Sequence, residues 1–288
     1  MRVLSKTPTS LAVTGDQVAA LAMRTAVAAY AVLSFDVPRP RALLGEQHIH
    51  RIAATMRIAG ARSFRISAAG RDSTVFQRLG AELASRTGLE HRPADGDVLV
   101  RIRPAWEVLV RLTPRPLSAR AWRVRDVPGA LNATIAAAML RLAAPQAGER
   151  VLNLMCGSGT LLAECPRVAL AVGLDNDPRA LDAARANAEA PLVLGDVRRV
   201  PFQRGFDVVV ADLPYGERSG SHRDNDALYQ AFLESAAQAV RPGARLVAIT
   251  HDIRRFERAL ASADGWRVER QIRVFQKGYK PAIWVMTR

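Results

Sequence analysis

VLNLMCGSGTLLAE, residues 151–164, decides how the chain folds. An apolar run leads into a Gly-x-Gly turn at Gly157 and Gly159, and a second apolar run follows. That is the pattern of a buried strand turning tightly into a helix. Glycine at these positions lets the backbone reverse sharply and leaves no Cβ in the way of a ligand. The third glycine of a dinucleotide fingerprint is absent, since Leu162 stands there, so a pyrophosphate is not the expected ligand.

The same grammar repeats downstream. Strands are expected at 150–155, 170–175, 192–196, 206–212 and 245–250, separated by helices near Leu161 and over 179–190, 227–240 and 253–261. Asn132 caps a further apolar helix that runs through Met139 and Leu142. Two late strands, 266–276 and 282–287, have no helix between them and should pair as an antiparallel hairpin at one sheet edge. The expected fold is α/β: a doubly wound, mostly parallel seven-stranded Rossmann-like sheet with that hairpin, over residues 128–288.

The ends of these strands carry the chemistry. Asp175 closes the second strand in VGLDND, where a carboxylate can accept hydrogen bonds from both hydroxyls of a ribose. Asp196 closes the third in LVLGDV, where a carboxylate or an adjacent amide can meet an adenine edge. Two aspartates at successive strand ends, beside the glycine turn, point to a nucleoside-bearing cofactor. The candidate set for it is Asn153, Cys156, Gly157, Gly159, Asp175, Asp196 and Val197. The fourth strand ends in VVVADLPYGER, where Asp212, Leu213, Pro214 and Tyr215 form a D-x-P-Y turn. An aromatic exocyclic amine is a poor nucleophile because its lone pair is delocalised into the ring. The Asp212 carboxylate and the Leu213 carbonyl can grip its two N–H bonds, and Tyr215 offers a stacking face.

Upstream the pattern is different. Residues 1–60 give a helix over 16–35 and a Pro-Arg-Pro turn at Pro38–Pro40. Residues 61–125 form a small α+β unit: a strand at 61–67, a helix capped by Ser73 and stopped by Gly88, and strands at 97–103 and 107–113. The 288 residues carry 41 basic and 27 acidic side chains, a net +14, and only three of the cations are lysine. Residues 1–125 hold +11 of this and the rest +3. Such concentration is the footprint of a polyanion-binding module. Arg101, Arg103, Arg111, Arg115, Arg120 and Arg123 are the candidate RNA contacts, Arg101 and Arg103 sharing one polar strand face.

Two cysteines make no disulfide framework or zinc site, so a reduced, cytoplasmic protein without metal is expected. The Ala-rich stretch 18–35 contains Arg24 and is too weakly apolar to span a membrane.

Taken in order, CGSGT, VGLD, LVLGD and DLPYG resemble the S-adenosylmethionine-dependent amino-methyltransferases with an N/D-P-P-Y motif. They are most similar to the THUMP-domain guanine-N2 RNA methyltransferases, in which a D-x-P-Y/F-G turn is followed by a basic residue, here Arg218. The tail over 229–250 and the closing KGYKPAIWV match as well. FRISAAGRDSTVFQRLG and the segment 93–124 resemble a THUMP domain, and residues 1–60 a shortened ferredoxin-like one. The resemblance implies a methyltransferase that uses S-adenosylmethionine, with tRNA as the partner and a guanine N2 amine as the target; a monomer is expected. Two departures stand out. Asn153-Leu154 replaces the usual acidic-Pro pair, and Leu213 replaces the first Pro of the turn. A glutamine-N5 or DNA amino-methyltransferase shares the four-residue turn, and an RNA-binding protein with a decayed catalytic half is the alternative that Asn153 raises.

Overall fold

The computed structural model of the chain describes residues 2–7, 9–214, 222–275, 278 and 280–288, the side chains of 222–224 excepted. Two units follow one another along the chain, Met1–Ala119 and Arg120–Arg288.

The first unit opens with β1 (Arg2–Lys6) and β2 (Leu11–Thr14), an exposed antiparallel hairpin, and the short helix α1 (Gln17–Leu21). It continues with β3 (Tyr30–Ser34), α2 (Glu46–Thr55), β4 (Ser63–Ser67), α3 (Thr74–Thr87), β5 (Glu90–His91), β6 (Val98–Arg103) and β7 (Glu107–Arg111). The helix expected over 16–35 is therefore wrong. Only Gln17–Leu21 is helical, and Tyr30–Ser34 is an edge strand that pairs antiparallel with β7. Alanine favours helix only weakly, and strand pairing overrides it. Residues 1–60 also do not stand apart from 61–119, because β3 belongs to the five-stranded sheet β3-β7-β6-β4-β5. Ile49 and Ile52 of α2 and Phe76, Leu79 and Leu83 of α3 pack on Phe64, Ile66, Val98 and Val100 of that sheet. Gly88 ends α3 at φ 72°, its N–H bonded to the Ala84 carbonyl, and Ser73 stands at the start without a side-chain cap bond.

The second unit holds α4 (Ala133–Ala143), β8 (Arg150–Leu154), α5 (Thr160–Glu164), β9 (Leu170–Asp175), α6 (Pro178–Asn187), β10 (Leu192–Leu194) and β11 (Phe206–Asp212). After these come α7 (His222–Ala239), β12 (Val240–Thr250), α8 (Ile253–Ser262), β13 (Arg267–Arg273) and β14 (Ala282–Thr287). Asn132 caps α4, accepting from the Thr134 N–H at 2.8 Å. The sheet order is β10-β9-β8-β11-β12-β14-β13. Its first five strands run parallel, and β14 pairs antiparallel with both β12 and β13. This is the seven-stranded α/β sheet with an edge hairpin.

Both faces of the central strands are covered, which is why they read as continuous apolar runs. Leu152, Leu154, Val209 and Ala211 join one cluster with Tyr229, Phe232 and Trp284. Val151, Val208 and Val210 join another with Met139, Leu140 and Ile249. Strand order reverses between β8 and β11, which pair as Val208↔Val151 and Val210↔Asn153. Crevices at such switch points, beyond the carboxyl ends of the strands, are where open α/β sheets take ligands.

Candidate active site

The turn after β8 is built from left-handed backbone. Met155 has φ 53°, Gly157 φ 53° and Gly159 φ 78°. For Met155 that conformation costs of order 1 kcal/mol, a strain typical of functional turns. A Cβ on Gly159 would meet Ala184 at 3.0 Å, so glycine here lets α5 lie close to α6. The turn is fastened from β9. Asp175 is 8% exposed, its Oδ2 accepts the Gly157 N–H at 2.7 Å and its Oδ1 accepts the Asp177 N–H at 3.0 Å. Each oxygen keeps a lone pair for a further donor.

A cleft of about 150 Å³ opens beside this turn, lined by Cys156, Gly157, Ser158, Thr160, Leu161, Asp212 and the segment 127–131. The glycine turn and the candidate catalytic carboxylate thus face one space. Burial pushes Asp212 up to about 7 and the Cys156 thiol up to about 12. Cys156 is therefore a neutral wall, while Asp212 can exchange a proton near neutrality.

The segment 127–131 is a wall that the sequence did not reveal. Asn187 secures the chain just before it: Oδ1 accepts from the N–H groups of Val124 and Arg125, both at 2.9 Å. Its Nδ2 donates to the Arg125 carbonyl at 2.8 Å and to the Ser158 carbonyl at 3.0 Å. Arg123 Nη2 holds the far side, donating to the Leu131 carbonyl at 2.8 Å and to Thr160 Oγ1 at 3.1 Å.

Asn153 is fully buried, its Nδ2 donating to the Val210 carbonyl at 3.0 Å. It ties β8 to β11 beneath the turn and is not part of the cleft lining. Asp196 lies after β10, accepting the Arg198 N–H at 2.9 Å, and its neighbour Val197 is buried in the core. Leu213 is 1% exposed, its N–H bonded to the Ile249 carbonyl at 2.8 Å. The Pro214 carbonyl accepts from the Tyr229 hydroxyl at 2.5 Å. Tyr215, Arg218 and part of KGYKPAIWV lie outside the described residues.

Three of the six candidate arginines are engaged by the protein itself. Arg111 is 5% exposed and donates to the carbonyls of Thr113, Pro114 and Asp97. Arg120 pairs with Glu164 at 2.8 Å, the two side chains 10% and 0% exposed. Arg123 is held by Asp126, Leu131 and Thr160. The Arg111 and Arg120 guanidinium groups, satisfied in the interior, are not free to meet phosphates, whereas Arg123 is partly exposed. Arg101, Arg103 and Arg115 are exposed.

The donor set fits a ligand with several hydroxyl, amine or carboxylate groups. Ser158 Oγ and Asn153 Oδ1 are buried without a partner, and Ser158 lines the cleft. An unpaired buried hydroxyl is costly unless a ligand completes it. A sequence model described as "UPF0020: RMKL-like, methyltransferase domain" matches residues 120–169 and 166–281, more than half of the chain. The chain belongs to this family. Within the UPF0020 family and its relatives, the chain is 31% identical over 255 residues to the tRNA (guanine(6)-N2)-methyltransferase of Thermus thermophilus, covering 80% of this chain and 74% of that one. It is 32% identical over 189 residues to tRNA (guanine(6)-N(2))-methyltransferase THUMP3 of Bos taurus, 56% of this chain but 37% of that one. The chain thus spans little over a third of the bovine protein's length. The crystal structure of TrmN from Thermus thermophilus superposes with a TM-score of 0.74 at 27% identity, covering 96% of this chain and 87% of that one. The UPF0020 match begins at residue 120 and so takes in the glycine turn, Asp212 and the segment 127–131 that line the cleft.

Proposed function

We propose that the chain transfers a methyl group from S-adenosylmethionine to the exocyclic N2 amine of a guanine in tRNA. The observation that carries this is the shared cleft: Asp212 and the Gly157–Ser158 backbone line one space at the switch point of the sheet. Gly157, Gly159 and Ser158 would hold the amino-acid end of the cofactor, Asp175 its ribose and the Asp196 turn its adenine. When bound, the cofactor supplies an electrophilic methyl group. Asp212 and the Leu213 carbonyl accept the two amine hydrogens, exposing the nitrogen lone pair. As the N–C bond forms, the nitrogen gains positive charge and releases one proton, which Asp212 is placed to take.

The names of the Thermus and bovine relatives support tRNA, and guanine 6 is the first position to examine. The excess of +11 in residues 1–125 supports a polyanionic acceptor, with Arg101, Arg103 and Arg115 meeting its phosphates. Labelled S-adenosylmethionine offered with tRNA, duplex DNA and a translation-factor protein tests the assignment. Transfer to tRNA alone is expected. Transfer to DNA or protein in its place would overturn it.

A further inference from the structure

The turn that presents Asp212 is pinned from outside. Leu213 donates its N–H to Ile249 of β12 at 2.8 Å. One residue later, the Pro214 carbonyl accepts from the Tyr229 hydroxyl of α7 at 2.5 Å. Tyr229 Oη lies 3.0 Å from Thr250 Oγ1, and Thr250 Oγ1 accepts the Asp252 N–H at 3.1 Å. The directions are fixed by counting hydrogens. The single proton of Tyr229 goes to Pro214, so the hydroxyl of Thr250 donates to Tyr229. A chain of donors therefore runs from the Asp252 amide through Thr250 and Tyr229 to the turn. Tyr229 and Thr250 are both fully buried. Phe256 packs edge-on against the Tyr229 ring at 5.7 Å, which fixes the ring plane.

Between the two pinned groups stands the Leu213 carbonyl. Rotation of that peptide plane would have to break the bond at Leu213 N or the one at Pro214 O, and the proline ring already fixes φ.

We propose that Tyr229 and Thr250 are positioning residues for methyl transfer, which hold the Leu213 carbonyl in the orientation that accepts the target amine. The inference rests on the proposed role of that carbonyl and adds residues that touch neither cofactor nor acceptor. Neither bond is needed to bind the cofactor, whose candidate residues lie at the ends of β8, β9 and β10. Their loss should be felt in turnover. Misplacing an oriented group by a fraction of an ångström to an ångström costs up to about 100-fold in rate.

The test uses the full chain and labelled S-adenosylmethionine, measured on whichever of tRNA, duplex DNA or translation-factor protein the wild type methylates. Tyr229→Phe removes one oxygen and keeps the packing. A fall in kcat of roughly 10- to 100-fold is expected, with KM for the acceptor and Kd for S-adenosylhomocysteine within about twofold of wild type. Thr250→Ser keeps the hydroxyl and should retain kcat, whereas Thr250→Val should lose it, so the Thr250 pair decides the matter if Tyr229→Phe does not fold. Unchanged kcat in Tyr229→Phe, equal kcat in the two Thr250 variants, or a loss appearing in KM alone overturns the inference. Should the wild type methylate none of the three acceptors, the proposed function falls and amide exchange at Leu213 decides this inference. Faster exchange at that amide in Tyr229→Phe supports the pinned turn, and unchanged exchange overturns it.

Discussion

The Gly157 N–H donates to Asp175 Oδ2 across 2.7 Å, so the carboxylate that ends β9 holds the glycine turn that follows β8. One side chain thereby links two neighbouring strand ends.

Asp175→Ala removes the acceptor for both the Gly157 and the Asp177 N–H groups. It also removes the acceptor proposed for the cofactor's ribose, and one hydrogen bond to a charged group is worth roughly 1.5–3 kcal/mol, so S-adenosylhomocysteine should bind about 10- to 100-fold more weakly. Isothermal titration calorimetry reads this. Affinity equal to wild type would show that the carboxylate takes no part in holding the cofactor.

Asp212 gives a signed dependence on pH. Burial raises it from the usual 3.8 to about 7, so the folded chain keeps a proton that the unfolded chain has released. Its contribution to stability is full below about pH 4 and is lost as pH rises through about 7. Replacing it with the neutral Asn should therefore stabilise the chain by ~2 to 4 kcal/mol at pH 8 and hardly at all near pH 4. Methyl transfer runs the other way: kcat/KM for wild type should climb with pH and level off above about 7, as the carboxylate ionises. Denaturant melts across this range check the first expectation and pH–rate profiles the second. An Asn variant no more stable than wild type at pH 8 would contradict it.

The second unit was legible because its strands are buried on both faces and punctuated by Gly, Asp and Pro at their ends. The mostly parallel alternation and the edge hairpin follow from that pattern, whereas the strand order and the cleft that Gly157 and Asp212 share are seen only in the structure. Residues 1–60 were not. Tyr30–Ser34 carries no signal of its own and becomes a strand by pairing with β7. Helix α2 was missed because His48, His50 and Arg51 mask the apolar stripe of Ile49, Ile52 and Ala53. Arginines show the other limit. Sequence gives their sign and alternation, but Arg111 turns inward because the carbonyls of Asp97, Thr113 and Pro114 converge on it. Tyr229 could have been singled out only by its place in the tail, since nothing in the chain shows that its hydroxyl reaches Pro214.

This sorting of arginines is itself testable. Arg120→Ala breaks a buried pair with Glu164, which also accepts the Trp122 Nε1–H at 3.0 Å. It should cost about 3 kcal/mol of stability and leave the salt dependence of tRNA binding as it was. Arg101→Ala with Arg103→Ala should do the reverse: stability nearly unchanged, with affinity lower and the salt slope shallower by about one unit for each phosphate no longer neutralised. Titrations of labelled tRNA at several salt concentrations, beside thermal melts, separate the two classes. A shallower slope for Arg120→Ala would return it to the RNA-binding set.

The cleft between the glycine turn and Asp212 is proposed to methylate the N2 amine of a tRNA guanine. The decisive measurement is nucleoside mass spectrometry of tRNA incubated with S-adenosylmethionine and either wild type or Asp212→Ala. N2-methylguanosine is expected with wild type and, for the variant, at least a 100-fold slower appearance, although the variant still binds S-adenosylhomocysteine. A different methylated nucleoside, or N2-methylguanosine formed equally fast by Asp212→Ala, would contradict it.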